Sequence, residues 1–87
     1  MVPSVHHHRY VKLRTFLKKL RVTSGLTQVQ VAERLRVDQS NVSKIERGER
    51  YIDTLFFIDF CRACGVEPSN AMHELEMMDD GNEDELM

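Results

Sequence analysis

The chain has 87 residues, 41% of them apolar and 30% charged, which suits one small domain and excludes a collagen-like, low-complexity or wholly disordered protein. No apolar run approaches the ~20 residues of a membrane span and no secretory signal is visible, so a membrane role is excluded and a cytoplasmic location is expected. The net charge of −2 hides a division: residues 1–50 carry eleven Lys and Arg against four Asp and Glu, a net of +7, while residues 51–87 carry one against ten, a net of −9, which points to a polyanionic partner for the first half.

Residues 1–8 show no periodicity and are expected to form a flexible N-terminal arm. His6, His7 and His8 fit a tag remnant, a native arm or metal ligands; three adjacent histidines make a poor metal cage, and no metal site is assigned to them. A first helix is expected from Arg9 to Ser24, where Leu13, Leu17 and Leu20 recur at spacings of four and three with Phe16 and Tyr10 beside them. Lys12, Arg14, Lys18, Lys19 and Arg21 make it basic, and Gly25 stops it in the left-handed conformation. Thr27 caps a second helix that runs to Arg36, Gln30 completes a capping box, and Val31, Ala32 and Leu35 form the inward stripe.

Val37 follows in a tight turn, placed to pack under it, and Asp38 offers a carboxylate to cap a third helix ending at Arg47. Val42 and Ile45, three apart, are that helix's inward residues, and Gly48 is its stop. Gln39, Ser40, Asn41, Ser43, Lys44 and Arg47 make up the rest, nearly all hydrogen-bonding groups. A face this polar calls for a polar partner lying against it.

Asp53 caps a fourth helix from Thr54 to Cys64, closed by Gly65, with Phe57, Ile58, Phe60, Cys61 and Cys64 inward. Leu55 and Phe56 are additional apolar residues that belong to the core or to a subunit interface, the interface being preferred. Cys61-Arg62-Ala63-Cys64 matches CxxC, but a zinc site needs two more ligands and only His73 is near. A redox pair belongs at a helix N-terminus within a βαβ pattern, whereas these cysteines occupy the last turns of a helix, so both are assigned to the core. Pro68 opens a fifth helix with Ala71, Met72 and Leu75 on its apolar face and Met77 and Met78 at its end. Residues 79–87, DDGNEDELM, are acidic, lack a core pattern and are expected to be a disordered tail. The whole is an all-α five-helix bundle over residues 9–78 between an arm and a tail.

The stretch from Thr27 to Gly48 resembles the helix-turn-helix of the phage-repressor and Cro type, the regulators also called xenobiotic-response-element-like. The resemblance is carried by Gly25-Leu26-Thr27-Gln28, Val31-Ala32, Leu35, Val37 and Ser43-Lys44-Ile45-Glu46-Arg47-Gly48, continues through Ala63-Cys64-Gly65-Val66-Glu67-Pro68, and covers roughly Arg9 to Leu75. It implies a lambda-repressor-like fold and a homodimeric, cofactor-free repressor that binds double-stranded DNA at an inverted-repeat operator. It sets the N-terminal end of the third helix in the major groove, with Gln39, Ser40, Ser43 and Lys44 facing base edges. Gln28, Asn41, Arg47 and Arg50 then face phosphates. Such relatives pair a glutamate at the position of Glu46 with an arginine at that of Arg21, a reading preferred here over two unconnected charges. They usually carry glycine where this chain has Arg36, so either Arg36 takes the left-handed conformation or the turn is rebuilt. They commonly pair subunits through the last helix, which makes Leu55, Phe56, Met72, Leu75 and Met78 the expected dimer interface.

Two other functions compete with this one. An antitoxin of a toxin–antitoxin pair uses the same fold for DNA and a tail for its toxin or another small protein. An enzyme finds little support, since no nucleophile–base–acid set is evident and no catalytic residue is assigned; a redox switch through Cys61 and Cys64 is what remains of that reading. With no chain left over for an effector domain, repression by occupying a promoter is the preferred expectation.

Overall fold

Apolar residues three and four apart, punctuated by glycine, produce five helices in the computed structural model, which describes residues 7–78. They are α1 (His8–Thr23), α2 (Gln28–Leu35), α3 (Gln39–Glu46), α4 (Thr54–Ala63) and α5 (Pro68–Met77), and the described residues contain no strand. His6 and the acidic segment 79–87 lie outside the described residues. Helix α1 starts one residue earlier than the sequence suggested: His8 already belongs to it, and the His7 ring accepts the Arg9 N–H at 3.2 Å as a cap.

Helix starts follow the local chemistry. Thr27 Oγ1 accepts the Gln30 N–H at 3.1 Å while Gln30 Oε1 accepts the Thr27 N–H at 2.9 Å, a reciprocal capping box that satisfies two donors α2 would otherwise leave orphaned. Asp53 caps α4 through the Phe56 N–H at 2.8 Å. Asp38 occupies the cap position of α3 but makes no side-chain cap bond; its carboxylate is exposed, where water competes for it. Val37 is 36% exposed rather than packed under the turn.

Four helices end in one pattern, in which two successive N–H groups reach back across the last turn. For α1 these are Gly25 to Val22 and Leu26 to Arg21; for α2, Arg36 to Glu33 and Val37 to Ala32. The same pair of bonds closes α3 through Gly48 and Glu49, and α4 through Gly65 and Val66. The closure requires a left-handed residue, and Arg36 takes it at φ 60°, ψ 43°. The turn into α3 therefore keeps the shape glycine would give it, at about 1 kcal/mol of backbone strain.

The core gathers Phe16, Leu17 and Leu20 of α1, Val31 and Ala32 of α2, Val42 of α3, Phe57, Phe60 and Cys61 of α4, Cys64, and Ala71 of α5. Helix α4 is the hub, packing on α1, α2 and α5, and its Phe60 and Cys61 are fully enclosed. Burying one side chain such as Phe60 contributes about 1.5–3 kcal/mol. Two polar ties join the C-terminal end of α4 to its neighbours: Ser24 Oγ donates to the Cys64 carbonyl at 3.0 Å, and Arg34 Nη1 donates to the Ala63 carbonyl at 2.6 Å. Ile58, expected inward, is only half-buried. Phe56 is partly buried against the core, its ring 5.8 Å from that of Phe60.

Candidate nucleic-acid interface

Val42, Ile45 and the Glu46 carboxylate are buried and pin one side of α3 to the bundle. Gln39 and Ser40 are exposed, while Asn41, Ser43 and Lys44 are half-buried. Gln28, in the first turn of α2, lies beside this face, because its amide accepts a hydrogen bond from Gln39 Nε2 at 2.8 Å.

Behind that face sits a buried ion pair. Arg21 Nε donates to Glu46 Oε2 at 2.7 Å, and Arg21 Nη2 donates to Glu46 Oε1 at 2.9 Å. This fork-on-fork geometry is stronger and more directional than a single contact. The two side chains are 11% and 4% exposed. Arg21 Nη1 donates to the Leu26 carbonyl at 2.9 Å, so the guanidinium also fastens the loop before α2. The hydrogen bond that Arg21 donates to Glu46 holds the Arg21 pKa above its ordinary value against the opposing effect of burial. Gln28 Nε2 adds a third bond to Glu46, at 3.0 Å to Oε1. Helices α1, α2 and α3 are thus tied by one continuous polar chain: Arg21, Glu46, Gln28, Gln39.

The C-terminal end of α3 is basic but not bare. Arg47 is exposed and donates to Glu49 Oε2 at 2.7 Å and to the hydroxyl of Ser43. Its hydrogen bond to Glu49 raises the Arg47 pKa and lowers that of Glu49. A phosphate reaching Arg47 must displace an exposed carboxylate, a partner that contributes little in water. Arg50 is also exposed.

One further cation at this end escaped the sequence reading. A Cβ on Gly48 would lie 2.5 Å from the Arg14 guanidinium carbon, so Arg14 of α1 reaches across to the backbone that ends α3. The signal was present: Arg14 and Arg21 are seven apart and share a face of α1.

The residues expected at a dimer interface divide into two groups. Leu55 and Met72 are 71% and 50% exposed. Phe56, Leu75 and Met78 are instead partly buried against the chain's own core, because α5 lies close on α4. The outer surface of α5 keeps Met72 and Met77 available, and a groove between α1 and α5 is lined by Tyr10, Leu13, Ile52, Met72 and Leu75.

Cys61 and Cys64 are both free thiols buried in the core. Burial, and secondarily the neighbouring Cys64, pushes the Cys61 pKa up to about 11, and burial also raises that of Cys64. A thiol held protonated is a poor nucleophile and a poor metal ligand. Among the described residues no three His, Cys, Asp or Glu side chains cluster as a metal ion would require, and no helix is long and apolar enough to cross a membrane.

Comparison with known proteins identifies the fold and the family. A family model described as a helix-turn-helix domain matches residues 12–75. An XRE-family like protein from Pseudomonas syringae pv. tomato str. DC3000 superposes with a TM-score of 0.76 at 42% identity, over 83% of this chain and 88% of the other. The restriction-modification controller protein C.AhdI from Aeromonas hydrophila gives a TM-score of 0.63 at 31% identity, over 70% and 92%. The clp gene regulator ClgR from Corynebacterium glutamicum gives 0.68 at 26% identity, over 79% and 72%. No curated protein matches the chain.

Proposed function

This chain belongs to the helix-turn-helix domain family, among the XRE or Cro/C1-type DNA-binding transcription regulators, and from that premise we propose that it acts as a homodimeric repressor seated on an inverted-repeat operator. The observation that carries the reading is the outer face of α3, polar along its length and locked to α1 and α2 through Arg21, Glu46 and Gln28. Directed hydrogen bonds to base edges need donors and acceptors held in place, and this face is held.

Gln39, Ser40, Ser43 and Lys44 meet bases in the major groove. Gln39 suits adenine, Lys44 suits guanine, and the serines are permissive. Gln28, Asn41, Arg47 and Arg50 meet phosphates on either side and fix the register. The net +7 of residues 1–50 supplies the salt-dependent attraction that brings the domain to DNA. One such helix reads too few base pairs to find a site in a genome, which is the argument for pairing. The exposed Met72, with the outer half of Leu75, supplies apolar surface for a two-fold contact through α5. Repression follows from occupying the promoter.

Selection of bound sequences from a random pool of duplex DNA tests the proposal. The expected result is an inverted repeat with half-site centres about one helical turn, ~34–36 Å, apart. A single unpaired half-site sinks the dimer, and an unenriched pool sinks sequence-specific regulation altogether.

A further inference from the structure

Glu46 accepts three hydrogen bonds, and one of them decides the direction of an amide. Arg21 provides two through Nε and Nη2, and Gln28 Nε2 provides the third at 3.0 Å. A carboxylate paired with a guanidinium has lone pairs and no proton to give, so Gln28 can meet it only with its NH2 end. The carbonyl oxygen of Gln28 is thereby turned the other way, where it accepts from Gln39 Nε2 at 2.8 Å. Gln39 must in turn give one of its two N–H groups to Gln28. What it has left for a ligand is its carbonyl oxygen and a single N–H.

The two ends of a primary amide have nearly the same shape, and only hydrogen-bonding partners choose between its orientations. Here the choice is made from inside the protein. Glu46 is 4% exposed and Arg21 11%, so water cannot easily replace the carboxylate as the partner of Gln28. Each later step in the chain then has one satisfied direction.

We propose that Glu46 is a positioning residue for base recognition, setting through Gln28 which end of the Gln39 amide faces the DNA and so selecting adenine over guanine. The inference rests on the reading that Gln39 meets a base edge. Adenine presents an acceptor at N7 and a donor at N6, which match one N–H and one carbonyl oxygen. Guanine presents two acceptors, N7 and O6, and one of them would face the Gln39 oxygen. Were Gln28 free to turn, Gln39 could turn with it. Its oxygen would then accept from Gln28, and both its N–H groups would serve guanine. The carboxylate at position 46 removes that alternative.

The test compares affinity for the preferred site with affinity for the same site carrying G·C in place of A·T at the base Gln39 meets. Glu46→Gln keeps the shape but offers both a donor and an acceptor, so Gln28 can take either orientation. The adenine-over-guanine ratio is expected to fall roughly ten-fold. Arg21→Lys weakens the ion pair but keeps the carboxylate; it is expected to lower folding stability and leave the ratio in place, which a purely structural role for Glu46 would not distinguish. If Gln39→Ala leaves the ratio unchanged, the reading of Gln39 as a base contact fails. If Gln39→Ala abolishes the ratio while folded Glu46→Gln retains the wild-type value, the proposal for Glu46 is overturned. A second measurement on the wild-type protein covers a Glu46→Gln variant that does not fold. The side-chain NH2 protons of Gln28 should exchange with water more slowly than those of Gln30, whose amide is tied only through its oxygen. Equal exchange at the two residues also overturns the proposal.

Discussion

Helices α3 and α5 are alike in size and opposite in what they offer. Each is two to three turns long and buries a narrow strip, Val42 and Ile45 in α3 and Ala71 in α5. The outer face of α3 carries Gln39, Ser40, Ser43 and Lys44, whereas that of α5 carries the exposed Met72 and Met77. Their anchoring differs to match. Helix α3 is wired to α1 and α2 by directed bonds that Glu46 accepts from Arg21 and Gln39 donates to Gln28, while α5 lies on α4 through apolar contact. The contrast follows from how each kind of surface works. Hydrogen bonds to a base weaken steeply when donor and acceptor fall out of line, so a face that makes them must be held. Apolar burial is non-directional and scales with area, so a face that works by burial needs only to be present.

The comparison breaks most severely at the ion pair. Arg21→Ala or Glu46→Ala leaves a charge buried without its partner and should cost about 3 kcal/mol of folding stability, a large share of the total for a small domain. Denaturant unfolding of both single variants and the double variant measures it. The double variant should recover part of the loss, and strict additivity would show that the two side chains are not coupled. A change at Met72 or Met77 should leave the unfolding of the monomer, followed at low protein concentration, in place.

Next in size is the outer face of α3. Gln39→Ala and Lys44→Ala should each weaken binding to the preferred site by roughly 1–3 kcal/mol and relax preference at one base position. Arg50→Ala should weaken all sequences alike and reduce the slope of affinity against salt by about one. Binding titrations on matched and mismatched duplexes separate the two patterns. A uniform loss for Gln39→Ala would move that residue from the bases to the backbone.

On α5 the informative substitution is Met72→Asp. Met72 is 50% exposed, so the change scarcely touches the monomer, but it sets a charge in the proposed two-fold contact. Losing the remaining burial should weaken dimerisation by about 1–2 kcal/mol per copy. Sedimentation should show more monomer, and the melting temperature should no longer rise with protein concentration as it does for a dimer. Leu75→Asp is a poorer probe, because Leu75 also packs on the chain's own core and its loss mixes folding with assembly.

Much of this fold was legible in the residues, because helix patterns are local. The Leu13, Leu17, Leu20 spacing, the Thr27–Gln30 box, the Asp53 cap and the glycine stops each depend on residues within one or two turns. What the sequence concealed depends on distances across the fold. Gln28 and Glu46 are 18 residues apart and meet only because α2 and α3 cross, and Arg14 reaches Gly48 only because α1 runs beside the end of α3. The exposure of Val37 was hidden for the same reason, since a residue's type does not say which side of a turn faces the core. Asp38 shows the opposite error: the residue suits a cap, yet its exposed carboxylate makes none.

The smallest expected effect lies in the turns that deliver the two helices. The turn into α3 and the turn into α5 use the same closure, with Arg36 at φ 60° in one and Gly65 at φ 74° in the other. Only glycine takes this conformation without strain, so Arg36→Gly removes about 1 kcal/mol of strain. The substitution also gives the unfolded chain more freedom, which offsets part of the gain. A net stabilisation of about 0.5 kcal/mol, or roughly 2–4 °C in melting temperature, is expected. The reciprocal change, Gly65→Arg, should cost about 1 kcal/mol from the backbone alone, since a Cβ there meets nothing within 4 Å. Both are read by thermal unfolding. If Arg36→Gly destabilises the domain, the Arg36 side chain contributes more than its backbone costs. The shallow cleft it lines with Arg34, Asp59 and Arg62 is then where that contribution arises, with Asp59 the opposite charge within it.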